Sequence, residues 1–372
     1  MNISIAIEKF DPHVGGAERY CWDLAHFLAQ RGHNVEIVCM RAKDPKIQSI
    51  RIVPIRALNF PQGFRHLSFA VCHAIRARNL PGSIHFGVGN TFLIDIYQPH
   101  GGVHRAWFSR ETQRYRKHLR PIMRFQKRLS LKDVVQRIME WWIFKITRPR
   151  VIAISDMVAD DIRNFFHYPQ EMIDLIPNGI DLDKFYPGNI VFRDEIRQRY
   201  GIEPDEFVFL FVAQNPRLKG YGTLIDACIE LGDIPFKILI VGPSNEPMRR
   251  KADPLGDRVI FAGNISDIQK VYPSCDCLVH PTYYDACSLV VLESLASGTP
   301  VITTRSNGAS MFVKGDMGHV LPAGDVHALS SAMRNMISSP KRIIGSDILK
   351  SHLKVFADVE EVMLRTDKIK RS

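Results

Sequence analysis

The carboxylates Asp285 and Glu293 lie in the segment of this chain richest in chemistry. Residues 280–302 read as a strand end, a polar loop, a short helix over 288–297, a stop at Gly298 and a second strand. The helix is apolar on nearly every side, which predicts burial. A buried carboxylate without a partner is costly, so Glu293 requires a hydrogen-bonding group. The helix follows a strand, so its free N–H groups point into the crevice at the strand's carboxyl end. Geometry and dipole both favour an anion there. A diphosphate on those amides, with ribose hydroxyls on Glu293, describes a nucleotide. A core helix whose Glu pairs with a nearby Arg or Lys fits the spacing equally well.

Three further segments carry candidate groups. Residues 14–19 place Gly15 and Gly16 at a helix start after the first strand, where a ligand can approach the backbone closely. The spacing is not that of a nicotinamide dinucleotide site. Taken alone, the pair reads as a tight strand–helix turn. Residues 98–104 put His100 on a glycine-rich loop at a strand end. A histidine there can meet a substrate hydroxyl or a phosphate, although most loop histidines are incidental. Residues 213–220 carry Arg217 and Lys219 between a strand and a helix. Two cations there can hold a departing diphosphate without a metal, and a solvated loop is the plain alternative. The loop over 241–244, with Gly242, is placed beside the nucleotide base.

The one Asp-x-Asp, Asp181-Leu182-Asp183, lies in a turn-rich stretch where turn chemistry explains it. No metal and no cofactor are expected. The seven cysteines lack metal-ligand spacing except for Cys275 and Cys277, which open a strand, and a reducing compartment is expected. The N-terminus lacks the basic and long apolar regions of a signal peptide, and no apolar run reaches the length of a membrane span.

The net charge of +10 is concentrated. Between Arg105 and Arg150, fourteen Lys and Arg stand against Glu111, Asp133 and Glu140, an excess that accounts for all of it. Trp107, Phe108, Tyr115, Phe125, Trp141, Trp142 and Phe144 interleave with these cations. Helices are predicted over 113–129 and 131–146. Basic helices carrying Trp and Phe mark a membrane surface or an acidic acceptor, and Arg114, Arg116, Lys117, Arg120 and Arg124 form the candidate patch. A solvated helical face with core aromatics is the alternative, and nucleic acid is not the expected partner.

These residues must be positioned by a larger frame. A length of 372 residues predicts two domains. Strands are expected at 3–7, 34–40, 83–88, 92–98 and 151–154, with a helix at 17–31. A second series of strands is expected at 207–213, 237–242, 259–261, 277–281 and 301–304. Helices are expected within it at 221–231, 267–274 and 288–297. Strand–helix alternation implies parallel sheets covered on both faces. The expected fold class is therefore α/β, with two tandem Rossmann-like doubly wound domains facing an interdomain cleft. The boundaries are 1–176 and 177–354, with residues 355–372 following.

Asp285 and Glu293, followed by residues 297–302, resemble the signature of the family 4 retaining glycosyltransferases of the GT-B fold. Residues 14–19, 217–220 and 176–181 match further segments of that family. The subgroup it most resembles is the lipopolysaccharide core glucosyltransferase I type. The resemblance implies that the first domain, with its basic segment 105–150, is the acceptor side and the second the nucleotide-sugar side. It also implies a C-terminal helix over 355–372 returning to the first domain through Val355, Val359, Val362 and Met363. The resemblance implies Glu293 on the ribose and the amides of Ser288, Leu289 and Val290 on the diphosphate. It implies Arg217 and Lys219 on the departing phosphates, Gly15 and Gly16 against the diphosphate or acceptor, and His100 near the sugar hydroxyls. Asp285 stands where the family usually has Glu and contacts the transferred sugar. Residues 286–288, Ala-Cys-Ser, replace the more usual Pro-Phe-Gly. The implied reaction is retaining transfer of a hexose from a UDP-sugar to a glycolipid or cell-envelope polysaccharide such as lipopolysaccharide core. The implied location is the cytoplasmic face of the membrane, bound peripherally. A sugar-nucleotide epimerase of the same architecture and a basic membrane-binding module with an inactive cleft are the competing readings.

Overall fold

A computed structural model describes residues 1–58, 62–80, 82–89, 91–115, 117–343 and 348–371. Two units emerge. The first comprises residues 1–109, 118–178 and 352–372, and the second residues 110–117 and 179–351.

The first unit is built on a seven-stranded sheet. Its strands are β1 (Asn2–Ala6), β2 (Asn34–Cys39), β3 (Ile50–Pro54), β4 (Ser83–Gly87), β5 (Ile96–Tyr97), β6 (Arg150–Ala153) and β7 (Ile173–Leu175). They lie in the order β3-β2-β1-β4-β5-β6-β7, and every pairing is parallel. Helices α1 (Gly16–Gln30), α2 (Gln62–Arg78), α3 (His104–Glu111), α4 (Arg120–Arg128), α5 (Leu131–Trp141) and α6 (Asp156–Phe166) follow the strands or intervene between them.

The second unit repeats the arrangement. Its strands are β8 (Val208–Val212), β9 (Lys237–Val241), β10 (Val259–Gly263), β11 (Cys277–His280), β12 (Val301–Thr304) and β13 (Gly318–Leu321). They are again all parallel, in the order β10-β9-β8-β11-β12-β13. Its helices are α7 (Arg193–Arg199), α8 (Tyr221–Glu230), α9 (Glu246–Ala252), α10 (Ile268–Ser274), α11 (Leu289–Ala296) and α12 (Val326–Ser338). The last helix, α13 (His352–Arg371), belongs to the first unit. Val355, Phe356, Val359, Val362 and Met363 sink into that unit's core beside Leu24, Leu28 and Ile84. Glu360, also buried, accepts from His33 at 2.6 Å and from Arg31 at 3.2 Å.

Both domains expected from the strand–helix alternation are thus doubly wound α/β layers. In each, the strand order reverses beside the first strand of the series: at β1/β4 and at β8/β11. Ligands bind at such reversals, because the loops leaving the two adjacent strands run to opposite faces and leave a crevice.

Local expectations failed where proline or pairing intervened. The strand expected over 92–98 shrinks to β5, although Asp95 and Gln98 still donate to β4 carbonyls at 2.9 and 2.8 Å. The helix expected over 113–129 is broken. Tyr115 is extended, and α4 starts afresh with Pro121 in its first turn, where a missing N–H costs nothing. The helix expected over 131–146 ends at Trp141. A π-turn over Trp142–Thr147 follows, closed by left-handed Arg148, and Pro149 prevents continuation. β3, α2, α6 and α12 escaped the sequence reading. β3 is an edge strand, mostly part-exposed, with Arg51 within it and Pro54 at its end, which weakens its apolar signal.

Candidate active site

The reversal at β8/β11 gathers the second unit's candidate residues. After β8 the chain runs through Arg217 and Lys219 to Gly220, the N-cap of α8. Gly220 has φ +83°, and a Cβ there would lie 2.1 Å from the Pro281 carbonyl oxygen, in the loop after β11. The two loops therefore touch through backbone, and only glycine permits it. Gly220→Ala is expected to lower the unfolding free energy by about 2 kcal/mol or more, read by urea denaturation, through left-handed strain and displacement of Pro281. Gly242 plays a similar part after β9. Its φ is +121°, and a Cβ would stand 2.0 Å from the Ala213 carbonyl oxygen, so its glycine is explained by this backbone contact.

That loop contact brings Lys219 to Asp285. The ammonium donates directly to Oδ2 of Asp285, and His280 Nε2, at the end of β11, lies 3.6 Å from the same oxygen. Ser288 Oγ is 3.4 Å from His280 Nε2. Burial alone would raise the Asp285 carboxyl. The Lys219 charge and His280 more than offset it and hold the group well below the usual carboxylate range. Burial lowers the His280 imidazole, against the raising effect of Asp285. The result is an ionised carboxylate held by the Lys219 ammonium, with the His280 imidazole 3.6 Å away. Arg217 is exposed on the same loop. It lines a cavity of about 800 Å³ with Gln214, Asn215, Tyr221, Asn245, Lys251 and Tyr283.

Glu293 lies in the second turn of α11, and the partner its burial demands is Tyr272, whose hydroxyl donates to Oε2 at 2.6 Å. Burial raises the Glu293 carboxyl to about 7, against the lowering effects of Tyr272 and Lys184. The amides of Leu289 and Val290 fall in the first turn of α11, where no intrahelical carbonyl reaches them. Ser288 differs. Its N–H already donates to Asn307 Oδ1 at 3.3 Å, and Asn307 also caps the turn after β12 through Ala309 at 3.1 Å. Tyr272, His280 and Asn307 were missed from sequence. Only Asn307 had a local signal, its place before Gly308 after a strand.

In the first unit, Gly15 is the exposed N-cap of the fifteen-residue α1, and Gly16 begins it. A Cβ at Gly15 would meet only the flexible end of Glu18. His100 packs on Tyr20 of α1, ring centroids 4.4 Å apart. Burial pushes its imidazole down to about 4, and its Nε2 is buried with no hydrogen-bond partner among the described residues. Gln98, fully buried, donates to the Tyr20 hydroxyl at 3.1 Å. Beside them, at the β1/β4 reversal, Glu8, Arg65 and His66 line a cavity of about 250 Å³. Glu8 binds His66 directly and Arg65 at 3.3 Å.

The basic patch is divided. Arg114 pairs with Glu111 at 2.6 Å, donates to the Tyr115 hydroxyl at 2.7 Å, and lines the second unit's larger cavity. It falls in the second unit, whereas Arg120 and Arg124 lie on α4 of the first, Arg124 exposed. Arg116 lies outside the described residues, as does the Lys117 side chain. Among the described residues, no three His, Cys, Asp or Glu side chains converge as a metal-binding group. All seven cysteines are free, and six are buried.

Two all-parallel sheets of this strand order, one with paired cations and helix amides at its reversal, define a protein of the GT-B fold. The sequence carries the models "Glycosyltransferase Family 4" over residues 14–83 and 96–184, and "Glycosyl transferases group 1" over 206–339. The chain belongs to the family 4 glycosyltransferases. It is similar to an uncharacterized glycosyltransferase of Methanocaldococcus jannaschii, 25% identical over 84% of this chain and 83% of that protein. It is also similar to the lipopolysaccharide glucosyltransferase WaaG of Escherichia coli, 22% identical over 84% and 83%. A D-inositol 3-phosphate glycosyltransferase of Mycobacterium is 29% identical, but the match spans only 51% of this chain and 45% of that protein. Among solved structures, WaaG superposes with a TM-score of 0.73 at 19% identity, covering 97% of this chain and 95% of WaaG. Anabaena HepE in complex with UDP-glucose gives 0.70 at 18% identity, covering 98% and 100%.

Proposed function

We propose that this glycosyltransferase moves a hexose, with retention of anomeric configuration, from a UDP-sugar to a glycolipid or cell-envelope saccharide such as lipopolysaccharide core. The observation that carries the reading is the Lys219–Asp285–His280 cluster at the β8/β11 reversal, beside exposed Arg217 and the open first turn of α11. The donor's diphosphate lies on the amides of Leu289 and Val290 and faces Arg217 and Lys219. Glu293 takes the ribose hydroxyls, and Asp285 a hydroxyl of the sugar. The bond from the anomeric carbon to the diphosphate oxygen breaks, and the electron pair leaves with the diphosphate. The acceptor oxygen bonds to the same face of that carbon, and its proton passes to the departing phosphate oxygen. The two cations and the helix dipole stabilise the charge that develops on the leaving group, which is where such groups act most strongly. This arrangement needs no metal. The UDP-glucose complex of a protein with the same fold supports the choice of donor, and similarity to WaaG the choice of acceptor class.

Peripheral membrane contact rests on α4. Ile122, Phe125 and Leu129, on one face of α4 and its C-cap, are 55%, 66% and 68% exposed, flanked by Arg and Lys. Among the described residues no helix is long and apolar enough to cross a membrane. A basic helix with an exposed apolar face suits the cytoplasmic leaflet.

The test is transfer from UDP-glucose, UDP-galactose and GDP-mannose to a lipopolysaccharide core acceptor, with the new linkage assigned by NMR. An α-linked product from a UDP-sugar is expected. A β-linked product, or interconversion of the sugar nucleotide without acceptor, would refute the reading.

A further inference from the structure

A further cavity lies in the first unit, lined by none of the residues placed on the donor. It measures about 500 Å³ and lies among α3, α4 and α5, with Phe165 of α6 at its edge. Arg105, Arg124, Arg128 and Arg137 line it, against one acid, Asp133. Asp133 is buried and already committed, to Arg137 at 2.8 Å and to His104 Nε2 at 2.7 Å. Among the described residues the carboxylate nearest Arg105 is Glu140, at 4.0 Å; the guanidinium carbon lies 5.2 Å from the centre of the Phe166 ring, and Nε is buried without a hydrogen-bond partner. The Arg128 guanidinium lies 5.9 Å from the centre of the Phe108 ring and has no carboxylate partner among the described residues. Glu140 is spent on the α3 N-terminus, where it accepts from the His104 amide at 2.6 Å. The lining therefore brings four guanidinium groups to the cavity against one carboxylate.

Its shape and lining narrow the ligand class. Guanidinium forks match the oxygen geometry of phosphate and can bind it in bidentate fashion. A lone phosphate would leave most of the volume empty, whereas this size is within the range that small ligands occupy. Phe108 and Phe165 add aromatic surface beside the cations. Helix α4 turns Arg124 and Arg128, one turn apart, into the cavity, and leaves Ile122 and Phe125 exposed.

We infer that this cavity binds a phosphorylated sugar residue of the acceptor. The phosphate sits among Arg105, Arg124, Arg128 and Arg137, and the sugar lies along Phe108 and Phe165. The inference rests on the proposed acceptor class, and its binding test stands apart from donor chemistry. A phospholipid headgroup presents the same phosphate chemistry, so the experiment separates the two sources.

The full chain is titrated calorimetrically with glucose 6-phosphate, glucose and inorganic phosphate, and sedimented with phosphatidylglycerol vesicles. Glucose 6-phosphate is expected to bind at least tenfold more tightly than either glucose or phosphate, and more weakly as salt rises. Arg128→Gln and Arg105→Gln are each expected to lose about tenfold in that binding, with the thermal shift given by UDP unchanged. Lys132→Gln, outside the cavity lining, is expected to lose nothing. Glucose 6-phosphate binding no tighter than glucose would overturn the inference, as would equal loss in Lys132→Gln. Vesicle binding that Arg128→Gln abolishes, with no binding of glucose 6-phosphate, overturns it in favour of a bilayer headgroup. Failure of UDP to bind while glucose 6-phosphate does bind would remove the donor assignment and leave this site standing.

Discussion

Lys219→Ala is expected to lower kcat by about 10²- to 10³-fold, the loss typical when a preorganised group facing developing charge is removed. The side chain does two things in the proposed reaction. It faces the departing diphosphate, and it holds Asp285 ionised. Without it, burial of Asp285 is opposed by His280 alone, so that carboxyl's pKa rises. The acid limb of the variant's pH–rate profile should therefore move to higher pH than in the wild type. Stability follows the same sign. A carboxyl held below its unfolded value contributes stability above that value and loses it as pH falls through the folded one. Lys219→Ala forfeits that contribution at neutral pH and leaves a poorly compensated carboxylate. Pairing it with Asp285→Asn removes the stranded charge, so the double variant should recover melting temperature without recovering turnover. Near-normal transfer by well-folded Lys219→Ala would end the electrostatic assignment.

Glu293→Gln is expected to weaken UDP binding about 10- to 100-fold and to abolish its pH dependence. The wild-type carboxyl titrates at about 7, because burial disfavours its charge. In the proposed complex the ionised form accepts from both ribose hydroxyls, so UDP affinity should fall by up to tenfold per pH unit below about 7. Linkage gives an opposite trend for the empty protein. A carboxyl raised above its unfolded value of about 4.5 favours the folded state fully below that value, and the benefit is lost as pH rises through about 7. The unliganded wild type should thus lose melting temperature between pH 5 and 7, while Glu293→Gln stays flat and melts higher at pH 8. Tyr272→Phe removes the hydrogen bond that lowers this carboxyl, so the midpoint of the UDP affinity profile should move upward. A UDP affinity in wild type that is constant from pH 5.5 to 8 would contradict the ribose role.

Much of the frame was legible in the sequence because its causes are local. Short apolar runs alternating with helical patterns specify parallel strands with covering helices, whatever lies elsewhere in the chain. The helix carrying Glu293 was placed within one residue at each end, since a strand end, an apolar run and Gly298 mark its limits. The need for a partner to Glu293 was equally legible, as a consequence of burying a carboxylate in an apolar helix.

The partners themselves were settled by the tertiary structure. Lys219 and Asp285 are 66 residues apart and meet because β8 and β11 are neighbours in the sheet, with Gly220 pressed against the Pro281 carbonyl. Tyr272 reaches Glu293 from the preceding helix, and Asn307 captures the Ser288 amide from the loop after β12. One run of cations likewise became two sites: Arg114 went to Glu111 and the second unit, while Arg105, Arg124, Arg128 and Arg137 enclosed a cavity in the first. Composition and periodicity determined which elements form and which faces they bury, because those depend on neighbours along the chain. Which charge meets which was decided by strand order and loop contact, because such pairs are distant in sequence and adjacent only after the sheet has formed.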